Sequence, residues 1–466
     1  MIYSSDKEKY GKEMYNFIKE LFPICRSITG RGTLKTLEMI QEKIPIEIKK
    51  VKSGTKVFDW EVPKEWNIKE AYIADLDGNK IIDFKDNNLH LVSYSTPIDK
   101  KISKEELVKH LHYIENKPDW IPYRTSYYNE NWGFCLTYNQ FKNLQDDEYY
   151  VKIDSTLKDG HLYYGEYSSN TSSTDRKELL FSTYICHPSM CNDNLSGVAV
   201  LTYFLLDLMK TKDLMKSSIE NNDKITDELK EHHMRLCDLN LPIRVLFLPE
   251  TIGAITWLAL NEKNLNNIIG GSVVTCVGDD GEIQYKKSKK GDGFIDNIIS
   301  DIKDSIKIRD FVPLGSDERQ FCSQGINLPM GCITRTPYGE YDEYHTSADN
   351  LDFISEDALS NSLNFIRKLY NCADGHNQYK KYIVKEKYSK CEINLGKRNL
   401  YPKIGGVAGL NTKDYNTLVT KAAKWLLSYS DGNHTITDIS KLSGIDEIYF
   451  VEVSKKLLVD GVIEIA

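Results

Sequence analysis

Residues 179–209 read LLFSTYICHPSMCNDNLSGVAVLTYFLLDLM, and this stretch decides the fold class. Its first part, 179–186, is a continuous apolar run that predicts a buried strand, and its last part, 195–209, predicts an apolar helix. A polar loop that contains His187 and Asp193 joins the two. A strand, a polar loop and a helix in this order form the repeating unit of α/β folds.

The same unit recurs further along the chain. Apolar runs predict strands at 243–248, 272–277 and 328–333, and each run is followed by a predicted helix, at 252–260, 294–302 and 356–370. Helices of this length connect parallel strands and cover both faces of the sheet. We therefore predict an α/β domain with a mixed, mainly parallel sheet and helices on both faces.

A second region, 51–145, has a different character, with short alternating runs rich in Trp, Tyr, Val and Ile. Residues 71–84 predict a β-hairpin around a glycine-containing turn. Residues 149–155 and 161–167 flank Lys158-Asp159-Gly160, which predicts another hairpin just beyond this region. We interpret 51–145 as a small β-rich domain inserted into the α/β domain.

The C-terminal part predicts three short helices, at 418–427, after Thr435 and at 445–458, and then a terminal hairpin, which together form a winged helix. The predicted domains are an α/β domain (1–50 and 146–395), the β-rich insert (51–145) and the winged helix (396–466).

Winged helices commonly bind DNA, but the charge of this one disfavours that role. Residues 415–466 contain five lysines, no arginine and seven acidic residues, for a net charge of −2. Its third helix carries Asp446, Glu447 and Glu452, where a recognition helix needs cations. We predict no nucleic-acid partner, and a protein partner or a homo-oligomer contact through this domain instead.

The composition is that of a globular protein, with 41% hydrophobic and 27% charged residues among 466. No run of 18 apolar residues occurs, and the first twelve residues are polar, so we expect no membrane contact and a cytoplasmic location. Ten cysteines occur without a Cys-x-x-Cys pair, which disfavours a zinc ribbon. The net charge of −8 offers no general attraction for nucleic acid.

Polar clusters follow the predicted strands, where ligands bind in open α/β sheets. The clusters are centred on His187 with Asp193, on Glu250, on Asp279 with Asp280, and on His345 with Asp349. Each cluster alone has a structural explanation: His187 as a hydrogen-bonding residue, Asp193 as a helix cap, Glu250 as a partner of a helix dipole, and Asp279-Asp280-Gly281 as a turn. Their arrival at one edge of one sheet favours a functional site.

Imidazole and carboxylate groups are the usual ligands of catalytic zinc, which keeps one position open. We therefore predict that His187 and Asp193 bind a zinc ion. A lone carboxylate directly after a strand suits a general base, and we assign this role to Glu250. Arg26 is a candidate for binding a substrate carboxylate or phosphate. The alternative is that Arg26 forms a structural ion pair.

The order of these motifs resembles that of zinc aminopeptidases and their glutaminyl-cyclase relatives. The stretches that carry this resemblance are Asp193-Asn-Leu-Ser-Gly197, Glu250-Thr-Ile-Gly253, Gly315-Ser316-Asp317 and His345-Thr346. The chain is more closely similar to a bacterial family of aminopeptidase-like proteins with an inserted β-rich domain and a C-terminal winged helix. Arg26-Ser-Ile-Thr-Gly30, His187-Pro-Ser189 and Pro337-Tyr-Gly-Glu-Tyr341 carry that narrower resemblance, which implies a link to polysaccharide biosynthesis.

The resemblance implies roles for further residues, and it makes His345 the third ligand of the zinc ion beside His187 and Asp193. It places Ser316 and Asp317 near the substrate pocket and implies a cis peptide bond after Asp193. Asp279 is then a fourth ligand, a partner of a ligand or a substrate contact. Asp349 either orients His345 through its far ring nitrogen or has an N-capping role.

One departure from the two-zinc enzymes concerns the number of metal ions. Their second glutamate, which binds metal, is replaced here by Thr251, a poor zinc ligand. We therefore expect one zinc ion.

The expected function is a zinc-dependent aminopeptidase that acts on a small peptide or peptide-like amide. The alternatives are an amidase or deacylase in polysaccharide precursor metabolism, and a non-catalytic scaffold whose winged helix mediates interactions.

Overall fold

A computed structural model of the chain describes residues 6–127, 129–169, 177–220, 241–302, 306–379, 383–387, 393–395, 398, 400 and 415–465. The contacts divide the chain into two compact units, residues 1–208 with 242–366 and residues 209–241 with 367–466. The α-helices in the described residues are α1 (Asp6–Leu21), α2 (Arg31–Gln41), α3 (Lys104–Val108), α4 (Tyr138–Lys142), α5 (Gly197–Glu220), α6 (Ile252–Asn261), α7 (Phe294–Asp301), α8 (Glu318–Phe321), α9 (Glu356–Tyr379), α10 (Tyr415–Tyr429), α11 (Ile436–Ser443) and α12 (Glu447–Val459).

The strands in the same residues are β1 (Glu47–Lys52), β2 (Lys56–Val57), β3 (Trp60–Glu61), β4 (Glu65–Ala74), β5 (Lys80–Asp83), β6 (Ile98–Ser103), β7 (Leu111–His112), β8 (Phe134–Cys135), β9 (Glu148–Lys158), β10 (His161–Ser168), β11 (Glu178–Tyr184), β12 (Ile243–Leu248), β13 (Ile268–Val274), β14 (Gln284–Lys286), β15 (Lys307–Arg309), β16 (Met330–Thr334), β17 (Ile383–Glu386), β18 (Asp431–Thr435) and β19 (Ile463–Ile465).

An eight-stranded sheet forms the larger part of the first unit, in the order β1-β10-β12-β11-β13-β16-β14-β15. The central strands β12, β11, β13 and β16 run parallel to one another. Antiparallel pairs join β10 to both β1 and β12, and β14 to β16. This mixed, mainly parallel sheet confirms the predicted fold class.

The stretch at 179–209 lies at the centre of this sheet. All seven residues of β11 are buried, so both faces of the strand are covered, as its continuous apolar sequence predicts. β11 pairs with β12 on one side and β13 on the other. The loops that follow these strands therefore meet at one edge of the sheet.

A smaller antiparallel sheet has the order β5-β4-β9-β6. The predicted hairpin at 71–84 is confirmed, because β4 pairs with β5 from Tyr72 opposite Asp83 to Ala74 opposite Lys80. The long pairing of β4 with β9 runs from Glu65 opposite Lys158 to Ala74 opposite Tyr150. The small sheet thus extends beyond residue 145, where we placed the end of the insert.

The second predicted hairpin, around Lys158-Asp159-Gly160, is wrong. Both strands exist, but β9 pairs with β4 and β6, whereas β10 pairs with β1 and β12 in the large sheet. The buried face of β9, with Tyr149, Val151 and Ile153, packs in the core of the small sheet. Residues 159–160 therefore carry the chain from one sheet to the other rather than back along its own strand.

The second unit contains the winged helix, made of α10, α11, α12 and a three-stranded sheet in the order β18-β17-β19. The last strand, β19, pairs with β17 rather than forming a terminal hairpin, and β17 precedes residue 396, the predicted start of this domain. Residues 396, 397, 399 and 401–414, next to that predicted boundary, lie outside the described part of the chain. Among the helices described above, none is long and apolar enough to cross a membrane.

Candidate functional site

The residues predicted to form the site lie at the carboxyl edge of the large sheet. His187 follows β11 and Glu250 follows β12, the neighbouring parallel strand. Asp193 lies in the short segment Cys191–Ser196 directly before α5, with non-helical φ and ψ angles of −107° and 82°, and His345 lies in the loop after β16. Strand order therefore brings together residues that are up to 158 positions apart.

His187, Asp193 and His345 form a compact group whose ligand atoms all lie within 4.8 Å of one another. His345 Nε2 lies 3.0 Å from Asp193 Oδ2, and His187 Nε2 lies 3.9 Å from the same oxygen. Apart from this contact with each other, Asp193 Oδ2 and His345 Nε2 are buried and have no hydrogen-bond partner among the described residues. Buried polar atoms without partners are rare in proteins, so these two atoms fit a site for a metal ion.

The charges of this group also suit a metal. Burial lowers the pKa of His187 to about 4, which leaves a neutral imidazole at neutral pH. Burial raises the pKa of Asp193, but His187, His345 and the hydroxyl of Tyr184 more than offset it, and the pKa falls to about 2. An ionised carboxylate beside neutral imidazoles is the form in which these side chains bind zinc.

Asp349 holds the loop that carries Asp193. Its carboxylate accepts hydrogen bonds from the backbone N–H groups of Cys191, Asn192 and Asp193, at 3.1, 2.6 and 2.8 Å. Burial, with the nearby Asp193 carboxylate, raises the pKa of Asp349 to about 8, against the effect of the N–H donors. The carboxylate thus binds N–H groups of the segment directly before α5, as a capping residue does, and among the described residues it has no hydrogen bond to the ring of His345.

The peptide bond between Asp193 and Asn194 is cis, as the resemblance implied. Gly197 of the same motif starts α5 close to the sheet. A Cβ atom at this position would lie 2.5 Å from the carbonyl oxygen of Val274 at the end of β13. Only glycine therefore allows the helix to begin this close to the strand.

Glu250 faces the metal-ligand group. Its Oε2 lies 3.8 Å from His187 Nε2, and its side chain is 26% exposed, so a substrate can reach it. Burial, then the carboxylates of Asp317 and Asp193, raise the pKa of Glu250 well above its usual range, and Arg319 opposes this. A raised pKa suits a carboxylate that must both take up and return a proton.

Asp317 and Arg319 hold the turn beside Glu250. Asp317 is fully buried, and its Oδ1 accepts the backbone N–H of Thr251 at 2.7 Å. Burial raises the pKa of Asp317 to about 7. Arg319 Nη2 donates to Thr251 Oγ1 at 3.2 Å, so a guanidinium lies beside this threonine.

Backbone strain is concentrated around the site. Ser189, Thr251, Cys276 and His345 have φ angles of 45°, 63°, 50° and 55°, in a region that side chains other than glycine rarely adopt. Such conformations persist only where the surrounding contacts enforce them, and they cluster at functional sites.

Tyrosines surround the two histidines, and no motif in the sequence singles these tyrosines out. The ring of Tyr344 stacks on His345 with centroids 3.9 Å apart, and the hydroxyl of Tyr184 donates to Asp193 Oδ1. The ring of Tyr123 lies 5.3 Å from His187 and 5.0 Å from His345, and its backbone N–H donates to the His345 carbonyl at 2.8 Å. Tyr123 belongs to the predicted insert, so that region forms part of the site.

Arg26 is buried behind the metal-ligand group. Its side chain has no exposed surface, its Nε donates to the carbonyl of His187 at 2.9 Å, and its Nη1 donates to the carbonyl of Leu21 at 2.6 Å. Burial lowers its pKa to about 10. These contacts favour a supporting role, and the predicted contact with substrate stays a prediction.

Asp279 and Ser316 lie near the group but outside it. Asp279 accepts hydrogen bonds from the side chains of Asn192 (2.9 Å) and Thr336 (2.7 Å), so it braces the loop before Asp193. Ser316 precedes Asp317, is buried, and its Oγ has no partner among the described residues. Their predicted roles in substrate binding stay predictions.

The chain is similar to known proteins over nearly its whole length. A "Putative polysaccharide biosynthesis protein with aminopeptidase-like domain" from Clostridium acetobutylicum is 46% identical, over 97% of this chain and 98% of the relative. A crystal structure of a "putative peptidase" from the same organism has 43% identity and a TM-score of 0.79, and covers 99% of this chain and 98% of that chain. A zinc aminopeptidase from Bacillus subtilis shares the fold at 13% identity, with a TM-score of 0.51 over 78% of this chain and 94% of that chain.

Family models match three parts of the chain. Two describe domains of unknown function, DUF2172 at residues 65–156 and DUF4910 at residues 224–376, and the third describes a winged helix-turn-helix at residues 382–465. The last match agrees with the three helices and the sheet of the second unit. The identity over nearly the whole length shows that this chain belongs to the family of the C. acetobutylicum protein, with an aminopeptidase-like domain and a C-terminal winged helix.

Proposed function

We propose that this protein is a zinc-dependent hydrolase that cleaves an amide bond in the manner of an aminopeptidase. The observation that carries the proposal is the group of three ligand atoms within 4.8 Å of one another, with Glu250 3.8 Å from His187. The aminopeptidase-like domain named for the 46% identical relative supports it.

The residues present fit zinc. His187 and His345 would supply imidazole nitrogens, and Asp193 would supply Oδ2, while Tyr184 binds its other oxygen. Three ligands of this kind are typical of catalytic zinc sites. Bound there, zinc would lower the pKa of a water molecule and polarise the substrate carbonyl.

Glu250 performs the proton transfers. Its carboxylate accepts a proton from the attacking water and returns it to the leaving nitrogen as the amide bond breaks. Its partial exposure admits substrate, and its raised pKa makes the carboxylate a stronger acceptor for the proton of the attacking water. Tyr123 and Tyr344 pack against the histidine rings and limit how far these rings can move.

A single metal ion suits the site better than two. Thr251 stands next to Glu250 and has no carboxylate to offer, and its Oγ1 accepts from Arg319 at 3.2 Å. A second cation near this point would be repelled by the guanidinium.

A second candidate substrate is an amide on an amino sugar, which would make the enzyme an amidase or deacylase. The name of the 46% identical relative refers to polysaccharide biosynthesis. A cavity of about 260 Å³ adjoins Tyr127, whose hydroxyl meets that of Tyr123 beside the two histidines. The cavity lining includes aromatic, hydroxyl, amide and charged groups, from Tyr94, Ser126, Asn129, Glu130 and Lys64. Such a mixture suits the faces and hydroxyl groups of a sugar.

The test combines metal analysis with Glu250→Gln. We expect about one equivalent of zinc in both the wild-type protein and Glu250→Gln, and loss of turnover only in the variant. The exposed Glu262→Gln is the matched control and should keep both. Aminoacyl anilides and N-acylated glucosamine as alternative substrates distinguish the two candidates. Zinc below about a tenth of an equivalent, or full activity in Glu250→Gln, would contradict the proposal.

We also propose that the winged helix contacts protein, either a partner or a second copy of the chain, rather than nucleic acid. Asp446 caps the N-terminus of α12, and Glu447 and Glu452 lie on the same helix. These acidic groups would face the phosphates if α12 acted as a recognition helix.

A further inference from the structure

Cys186 lies between the proposed metal ligand and the proposed base. It comes two residues after β11 and is 1% exposed. The backbone N–H of Ile185 still donates to the carbonyl of Leu248 at 3.0 Å, so the chain stays paired with β12 up to this point. The thiol therefore sits where the ends of the two central strands diverge toward His187 and Glu250.

The thiol contacts both of these residues. Its Sγ lies 3.5 Å from His187 Nδ1, and the backbone N–H of Glu250 donates to the same sulfur at 3.3 Å. The other nitrogen of His187, Nε2, faces Asp193 and Glu250 at 3.9 and 3.8 Å. Cys186 thus contacts the ring nitrogen that points away from the proposed metal.

The backbone at Glu250 needs such support. Thr251 has a φ of 63°, and the N–H of Ile252 donates to the Glu250 carbonyl at 2.8 Å, which makes a tight, strained turn. Two side chains accept the N–H groups of this turn: Cys186 binds that of Glu250, and Asp317 binds that of Thr251. A strained turn keeps its shape only when contacts of this kind hold it.

We propose that Cys186 is a positioning residue shared by the two parts of the active site. Through Nδ1 it fixes the ring of His187, and through the Glu250 N–H it fixes the backbone that carries the base. The inference rests on the proposed function and deepens it, because it assigns to a cysteine the role that a carboxylate or carbonyl usually plays behind a metal-binding histidine. A thiol is a weak hydrogen-bonding group, so its effect should fall at the low end for such partners.

The experiment compares Cys186→Ala and Cys186→Ser with Cys322→Ala. Cys322 is the matched control because it too is buried, and its Sγ contacts the carbonyls of Leu328 and Met330 instead of the site. Three measurements are made on the full-length chain: the Kd for Zn²⁺ by competition with a chelator, the visible spectrum of the Co²⁺-loaded protein, and kcat and KM for the amide substrate.

Cys186→Ala should weaken Zn²⁺ binding about tenfold, alter the Co²⁺ spectrum and lower kcat more than KM. Cys186→Ser keeps a hydrogen-bonding atom and should recover most of the affinity, while Cys322→Ala should stay within about twofold of the wild type. If Cys186→Ala binds Zn²⁺ and shapes the Co²⁺ spectrum like the wild type, the inference is overturned. An equal loss in the Ser and Ala variants would overturn it too.

These outcomes are separable from the proposed function. If the wild-type protein binds zinc but hydrolyses neither substrate, the proposed function fails, and the Zn²⁺ affinities and Co²⁺ spectra still decide the role of Cys186. If Cys186→Ala does not fold, as judged by circular dichroism, Cys186→Val replaces it as the variant without a hydrogen-bonding atom: a Co²⁺ spectrum that Cys186→Ser keeps and Cys186→Val loses supports the role, and equal spectra in the two variants refute it.

Discussion

Asp349→Asn tests whether a single carboxylate holds the loop of the metal centre. In the wild-type protein, Oδ1 accepts the N–H groups of Cys191 and Asn192, and Oδ2 accepts that of Asp193. The amide keeps one acceptor oxygen, so the first two bonds can persist, while the Asp193 N–H then faces an NH₂ group. A buried N–H without an acceptor costs about 1–3 kcal/mol.

A middle value of about 2 kcal/mol corresponds to about a 30-fold change in an equilibrium constant. This free-energy cost should appear partly as weaker Zn²⁺ binding and partly as lower stability of the metal-free protein. The metal-free loop can relax and so recover part of the cost, whereas bound zinc requires Asp193 in its place. The assay therefore measures both the Zn²⁺ Kd by chelator competition and the free energy of unfolding of the metal-free protein in urea. The exposed Asp352→Asn is the control, since it removes a neighbouring carboxylate outside the loop.

The loss of zinc-binding free energy and the loss of unfolding free energy should together reach about 2 kcal/mol. If Asp349→Asn matches Asp352→Asn within about 0.5 kcal/mol in both zinc affinity and unfolding, then the three backbone contacts do not hold the site. A loss confined to unfolding would show that the loop supports the fold and not the metal.

Three further expectations follow from other parts of the molecule. The lowered pKa of His187 means that the contribution of this side chain to the stability of the metal-free protein is fully present above pH 6.5 and falls by up to about 3 kcal/mol toward pH 4. The raised pKa values of Asp317 and Asp349 act in the opposite direction over this range, so the measurement is the difference in the free energy of unfolding between the wild type and His187→Gln, which should fall by about this amount. Lys286→Met leaves the fully buried Glu318 without its ion-pair partner, so urea unfolding should show about 3–5 kcal/mol of destabilisation, and adding Glu318→Gln should recover part of it. The acidic winged helix should not bind duplex DNA in fluorescence anisotropy at low salt, and salt-sensitive binding would reverse our assignment.

Much of the fold could be predicted because most strands of the large sheet are recognisable from the hydrophobic pattern of their own residues. A strand such as β12 is a short apolar run bounded by turn residues, and its predicted and observed limits coincide at 243–248. The pairing of strands could not be predicted in the same way. β9 and β10 resembled a hairpin because they are adjacent and separated by a turn that contains glycine, yet β9 pairs with β4 and β10 pairs with β12. Alternation shows that a strand has a buried face and does not show which strand lies beside it.

The candidate site shows the same division. His187, Asp193 and Glu250 were predictable because each follows a strand or precedes a helix, so that the order of elements places them at one edge. The contacts of Arg26 and Asp349 were not, because their partners are backbone groups, and a sequence records no backbone hydrogen bonds. Their side-chain types suggested ligand or substrate chemistry, whereas the structure turns both toward the loops that carry the ligands.

The contact between Tyr123 and His345 means that the region 51–145 cannot be removed without affecting the candidate metal centre. The region 51–145 has its own sheet and looks in sequence like a cassette that could be excised. Yet its residues 121–123 run alongside the loop of His345, with Ile121 and Ser347 exchanging two hydrogen bonds of 2.8 and 2.9 Å. A truncated protein without the cassette would lose one wall of the metal centre and would leave β9 without β4. The shortest fragment able to assemble this centre therefore includes the region that the sequence presents as an addition.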